Sequence, residues 1–174
     1  MSNVDLMKLI QENVRSLKSY HVENNDCEVK LHANENPFPT SNELLELFTT
    51  SLQEFQLNRY PDPDSKNLKR SIAKRLDTEM GRLVVGNGSD EIILLLLQVF
   101  CKEGDTIILP DPTFAMYAII SQGLGIKSAN IALDNHWDFN ADMLLKAAEE
   151  NKSRIIFLSY PNNPTGNCFS KNQV

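Results

Sequence analysis

From residue 83 to residue 159, apolar runs of strand length alternate with segments of helix length, and this rhythm constrains the fold more than any other feature. Leu83-Val84-Val85, Thr106-Ile107-Ile108-Leu109, residues 126–133 and residues 154–159 read as strands. Residues 89–101, a segment from Pro112 to near Gly123, and residues 140–151 read as the intervening helices. Strands that alternate with helices predict βαβ units and an α/β fold with a mainly parallel sheet and flanking helices. A run that is apolar at successive residues, as at Ile155-Ile156-Phe157-Leu158, suits a strand buried on both faces. In open sheets of this kind a ligand sits in the crevice beyond the carboxyl ends of the strands.

The chain before residue 83 is more helical. Leu6, Leu9, Ile10, Val14 and Leu17 recur at helical spacing and predict a helix over 5–19 that acts as an N-terminal arm. Residues 28–33 are expected to form a short strand. Ser41 is a candidate N-cap for a helix carrying Leu44, Leu45, Leu47, Phe48 and Leu52, and residues 65–79 suggest a further amphipathic helix. A loop braced by Pro61 and Pro63 lies between these two helices. At the other end Ser170 looks like the N-cap of another helix, so the alternation is expected to continue past Val174.

Composition removes several classes of function. A net charge of −6, with no block rich in lysine or arginine, argues against nucleic-acid binding. The most apolar stretch, residues 92–100, is too short to span a bilayer, and Asp5 and Lys8 interrupt any signal-peptide pattern. Cys27, Cys101 and Cys168 show neither disulfide nor metal spacing, which suits a reducing cytoplasm, and His21, His32 and His136 share no metal spacing.

Three of the strand ends carry residues suited to a ligand. Gly86-Asn87-Gly88-Ser89-Asp90-Glu91 joins a strand to a helix, where free N–H groups and the macrodipole favour an anion. A capped glycine turn would use the same residues, with Ser89 or Asp90 as the cap. The segment imitates G-x-G-x-x-G, but Glu91 stands at the third glycine. Asp111-Pro112-Thr113-Phe114-Ala115-Met116-Tyr117 offers an aromatic that stacks on a flat ring or belongs to the core. Tyr160-Pro161-Asn162-Asn163-Pro164-Thr165-Gly166 presents Asn163 on a backbone stiffened by the following proline. Its amide both donates and accepts, although Asn, Pro and Gly also make ordinary turns. Asn58-Arg59-Tyr60-Pro61-Asp62-Pro63 either aims Tyr60 outward or packs it over a neighbouring helix, and Ala33-Asn34-Glu35-Asn36-Pro37 is a polar turn.

Together, and in this order, the Asn-Glu-Asn-Pro, Arg-Tyr-Pro, Gly-Ser-Asp-Glu, Pro-Thr-Phe-Ala-Met-Tyr and Pro-Asn-Asn-Pro-Thr-Gly segments resemble the fold-type I aminotransferases that use pyridoxal phosphate. Within them the pattern is similar to the histidinol-phosphate aminotransferase family. The resemblance implies an N-terminal arm and small-domain segment over 1–59 and a partial cofactor-binding large domain over 60–174. It implies cofactor-phosphate contacts at Ser89 and Asp90, with Glu91 also in the cofactor-binding turn, stacking by Phe114, and a hydrogen bond from Asn163 to the 3′-oxygen. It implies that Tyr60 reaches the cofactor of a second subunit in a homodimer. Tyr20 and Asn34 match substrate-contacting positions.

The implied reaction moves an amino group between glutamate and imidazole-acetol phosphate in histidine biosynthesis. Aromatic amino acid transamination and threonine-phosphate decarboxylation occur in similar proteins. The family's cofactor-linking lysine, its acidic partner and its substrate-carboxylate arginine follow the Pro-Thr-Gly turn and are not matched here. Ser170-Lys171 imitates the lysine context without its glycine-rich continuation. No catalytic residue is therefore assigned, and the 174-residue chain is expected to be inactive alone. A nucleotide-binding α/β oxidoreductase and a non-catalytic fragment are the alternatives from other classes.

Overall fold

A computed structural model of the chain describes residues 6–18, 28–30 and 33–173. Its residues group into two compact units, one formed by the chain up to residue 18 together with residues 84 onward, the other by residues 19–83.

The larger unit is an α/β sandwich around a parallel sheet. Its elements are helix α1 (Glu12–Arg15), then α4 (Gly88–Phe100), β1 (Thr106–Asp111), α5 (Met116–Gly123), β2 (Lys127–Ala132), α6 (Ala141–Glu150) and β3 (Ile155–Ile156); α2 and α3 belong to the other unit. The strand order is β2-β1-β3, with β1 parallel to both neighbours. Ile107 and Leu109 pack with Ile93, Leu97, Ile126 and Phe157 on the α4–α5 side. Ile108, between them in sequence, packs with Phe139, Leu144, Ala147 and Phe169 on the α6 side. This alternation explains why β1 is apolar at each of Ile107, Ile108 and Leu109: each successive side chain enters a different core. Asn140 caps α6, its Oδ1 accepting the Met143 N–H at 3.0 Å.

Several segments differ from the sequence expectation. Residues 5–19 do not form one helix: a 3₁₀ turn over Leu6–Leu9 is followed by the single-turn α1. Leu6 and Leu9 are exposed, so no packed face sustains a longer helix, whose stability would come mainly from such packing. The segment is instead tied down by Asn13, whose Nδ2 donates to Gly123 O at 2.9 Å, and by Gln122 Nε2, which donates to Ser16 Oγ at 3.1 Å. Leu83-Val84-Val85 is not a strand. Val84 is exposed and no ladder runs beside it, while Leu83 N closes a turn onto Met80 O. The helix expected from Pro112 begins four residues later, because Pro112 and Thr113 are engaged across the sheet edge. The strand over 154–159 narrows to two residues, with Phe157 N still donating to Ile108 O at 3.2 Å. Ser170 begins a turn, its carbonyl accepting Gln173 N–H.

The smaller unit contains α2 (Asn42–Glu54) and α3 (Lys66–Leu76). Ser41 is the expected cap, with Oγ accepting the Leu44 N–H at 3.3 Å. Asp62 receives the N–H groups of Lys66 (2.8 Å) and Asp64 (3.1 Å), and these bonds hold its carboxyl below the ordinary range. Residues 28–30 and 33 form no strand; residues 31 and 32 lie outside the described residues.

Candidate ligand site at the carboxyl edge of the sheet

The topology brings three segments to one end of the larger unit. Helix α4 has 13 residues and β1 has six, so each is about 20 Å long. A short link, residues 101–105, joins them, and both contribute to one core cluster. The helix therefore runs back along the strand, and its N-terminus returns to the carboxyl end of β1. That end continues into Pro112–Ala115, and β3 beside it continues into residues 157–167.

The two strand-end turns are joined by Asn162. Its side chain is buried, with 2% exposure. Oδ1 accepts the Thr113 hydroxyl at 3.0 Å, and Nδ2 donates to Pro112 O (3.1 Å) and Thr165 Oγ1 (2.7 Å). Thr165 in turn donates to Asn167 Oδ1, and Asn167 Nδ2 donates to Trp137 O at 2.8 Å. Asn163, the next residue, is exposed, and its amide makes no hydrogen bond. The residue singled out from sequence is thus the free amide, while its neighbour does the fastening. The signal for Asn162 was present as the first Asn of an Asn-Asn pair, but only the fold shows which of the two turns inward.

Phe114 is half-buried at the rim of the α4–α5 core. It meets Tyr117 edge-on at 5.5 Å, and Tyr117 stacks on Phe157 at 4.6 Å. Both sequence readings of Phe114 are therefore compatible, with part of the side chain in the core and part open at the edge. Tyr160 is exposed; the neighbouring Cys168 raises its phenol above the ordinary pKa, by a hydrogen bond first and by charge second.

At the start of α4, Ser89 and Asp90 are exposed and their N–H groups have no backbone acceptor. Neither side chain caps the helix. Glu91 does that work instead, its Oε2 accepting the Asn87 N–H. A Cβ at Gly86 would lie 2.7 Å from Glu91 Oε2 and 2.9 Å from Ile92 Cδ1, so a side chain there would push the Glu91 carboxylate out of the turn. Glu91 therefore points its charge into the turn and leaves the Ser89 and Asp90 donors open to an anion.

In the smaller unit, Tyr60 is fully exposed and does not pack over a helix. Asn34 adopts a left-handed conformation at φ 52° and is exposed. Tyr20 lies outside the described residues. Among the described residues no cluster of His, Cys, Asp and Glu could hold a metal ion, and no helix is long and apolar enough to cross a membrane.

An open parallel sheet with convergent polar turns at its carboxyl edge defines a ligand-binding α/β domain. Residues 27–174 match the family described as aminotransferase class I and II. The chain belongs to that family, which removes the nucleotide-binding oxidoreductase alternative. It is 34% identical over 166 residues to a histidinol-phosphate aminotransferase of Caldanaerobacter subterraneus, covering 95% of this chain and 47% of that protein. It is 37% identical to histidinol-phosphate aminotransferase 1 of Ralstonia nicotianae, covering 94% of this chain and 44% of that one. The fold is similar to the crystal structure of histidinol-phosphate aminotransferase from Sinorhizobium meliloti in complex with pyridoxal-5'-phosphate, with a TM-score of 0.77 at 18% identity, covering 89% of this chain and 43% of that chain. The chain spans about half the length of the curated relatives it matches.

Proposed function

We propose that the chain is the N-terminal portion of an aminotransferase that exchanges an amino group between glutamate or 2-oxoglutarate and histidinol phosphate or imidazole-acetol phosphate. The reading is supported by family membership and by relatives of that activity aligned over most of the chain. Residues 1–59 are assigned to the arm and small domain and 60–174 to part of the cofactor-binding domain. A cytoplasmic setting fits the two described free cysteines, Cys101 and Cys168.

The observation that carries the cofactor assignment is the pairing, across the Thr113–Asn162 hydrogen bond, of a half-open aromatic with an unpartnered amide. Pyridoxal phosphate has a flat ring, an anionic phosphate and a ring oxygen, and the residues fit each part. Ser89 and Asp90 N–H groups would hold the phosphate, with Glu91 shaping their turn. Phe114 would lie against the ring, and Asn163 would donate to the 3′-oxygen. When bound, the cofactor supplies the electron sink that amino-group transfer needs. These residues bind and orient; none of them is assigned a proton transfer. Tyr20 and Asn34 would contact substrate. The test compares turnover of histidinol phosphate with that of phenylalanine and tyrosine by the whole protein, with 2-oxoglutarate as acceptor. The phosphorylated substrate is expected to be preferred, because charge-assisted bonds to phosphate are roughly twice as strong as neutral ones. Faster turnover of an unphosphorylated aromatic amino acid would reassign the substrate. Decarboxylation of threonine phosphate would reassign the reaction.

Tyr60 is proposed to complete the cofactor site of a second subunit in a homodimer. Its full exposure leaves the hydroxyl available to a partner. Mixing a Tyr60→Phe subunit with a subunit that has lost the Asp90 N–H donor through Asp90→Pro is expected to restore cofactor retention above that of either parent. A mixture no better than its parents would rule out sharing.

A further inference from the structure

Asn162 carries more of the site's geometry than any ligand-facing residue, yet it cannot itself reach a ligand. It is buried, and both ends of its amide are bonded to protein. Its main chain is engaged as well: N donates to Asn167 O at 2.9 Å, and its carbonyl accepts Gly166 N–H at 2.7 Å. An Asn that merely closes a turn bonds its own backbone a few residues away. Here the amide crosses to Pro112 and Thr113, fifty and 49 residues earlier in sequence. It therefore fixes the spacing of two turns rather than the shape of one. Through Thr165 and Asn167 the same chain of bonds reaches Trp137, so three loops are fastened together. The neighbouring Asn163 is left exposed, with its amide unused.

We infer that Asn162, with Thr113, is a positioning residue that sets the Asn163 amide relative to the Phe114 ring. A flat ligand bearing a ring oxygen would be held by Phe114 and Asn163 together only while this clamp is closed. The inference rests on the cofactor assignment above for its ligand, but not for the clamp itself.

The test uses the whole protein with Asn162→Leu, Asn163→Ala, their double variant, Thr113→Val and Thr113→Ser. Three quantities are measured: the Kd of the cofactor-free protein for pyridoxal phosphate, the pH midpoint of the bound cofactor's visible absorption, and amide exchange over residues 163–166 without cofactor. Asn162→Leu is expected to weaken binding roughly tenfold, the scale of a lost buried hydrogen bond. It should move the absorption midpoint in the same direction as Asn163→Ala. The double variant should bind within about twofold of Asn162→Leu alone, because the two residues act as one unit. Thr113→Val, which removes a single bond, should show a smaller effect that Thr113→Ser repairs. Exchange over 163–166 should quicken in Asn162→Leu and Thr113→Val. Additive losses in the double variant would overturn the inference. So would an unchanged midpoint accompanied only by a lower Tm. If the unaltered protein takes up no pyridoxal phosphate, the cofactor assignment fails. Unchanged exchange in both clamp variants would independently sink the clamp.

Discussion

Leu97→Ala is expected to cost about 3 kcal/mol of folding stability, read as a fall in the urea midpoint at unchanged slope. Leu97 has no solvent exposure and lies on α4 in one core cluster with Ile107 and Leu109 of β1, Ile126 before β2 and Phe157 after β3. These neighbours belong to the sheet or directly flank it, and backbone hydrogen bonds hold them in place: the β1 ladders, Phe157 N to Ile108 O, and Ile126 N to Ser121 O. The space left by three missing carbons therefore closes only in part, and the cavity adds to the lost transfer energy. Stabilities of whole domains are about 5–15 kcal/mol, so this one substitution removes a large share. Val99→Ala on the same helix is the control. Val99 is 71% exposed, and its truncation should stay within about 0.5 kcal/mol. Equal costs at the two positions would mean that α4 does not dock on the sheet as described.

The contrast between Leu97 and Val99 also marks how far sequence reasoning reaches. The β1 run and the helices around α4 and α6 were legible because each has a strong local period and a clear stop. Leu83-Val84-Val85 was misread because an apolar triplet specifies a strand only if a partner strand lies beside it, and the described residues provide none. The start of α5 was missed for a related reason: Thr113 is drawn into a bond with Asn162, and that bond joins residues 49 apart. Local periodicity contains no such information. At the site, Asn163, Phe114, Ser89 and Asp90 were all visible as residue types in turns. The roles of Glu91 as a turn-closing carboxylate and of Asn162 as a clamp depend on which way a side chain faces. Tyr60 fell between two readings until its exposure decided against the packed one.

Residues 1–174 on their own, supplied with pyridoxal phosphate and glutamate, are expected to give no transamination above the cofactor-only rate. Transamination on this cofactor needs a lysine that links to it and returns it between turnovers. The segments that converge on the proposed site, residues 86–91, 111–117 and 160–166, contain no lysine. Lys171 is the nearest candidate in sequence, and the two residues before it pack toward the α6 side of the sheet. Phe169, two residues before it, is buried on the α6 side of the sheet, edge-on to Phe139 at 4.8 Å. Ser170 N donates to Asp138 Oδ2 at 3.3 Å in the same region. Phe114 packs with the cluster on the opposite face. Lys171 is exposed and follows a residue packed on the α6 face, whereas Phe114 packs on the α4–α5 face. Borohydride reduction followed by peptide mass mapping should find sparse adducts spread over exposed lysines, since a free aldehyde reacts with any accessible amine. A single stoichiometric adduct at Lys171, together with measurable glutamate-dependent turnover, would reverse this expectation and place a functional lysine within the 174 residues.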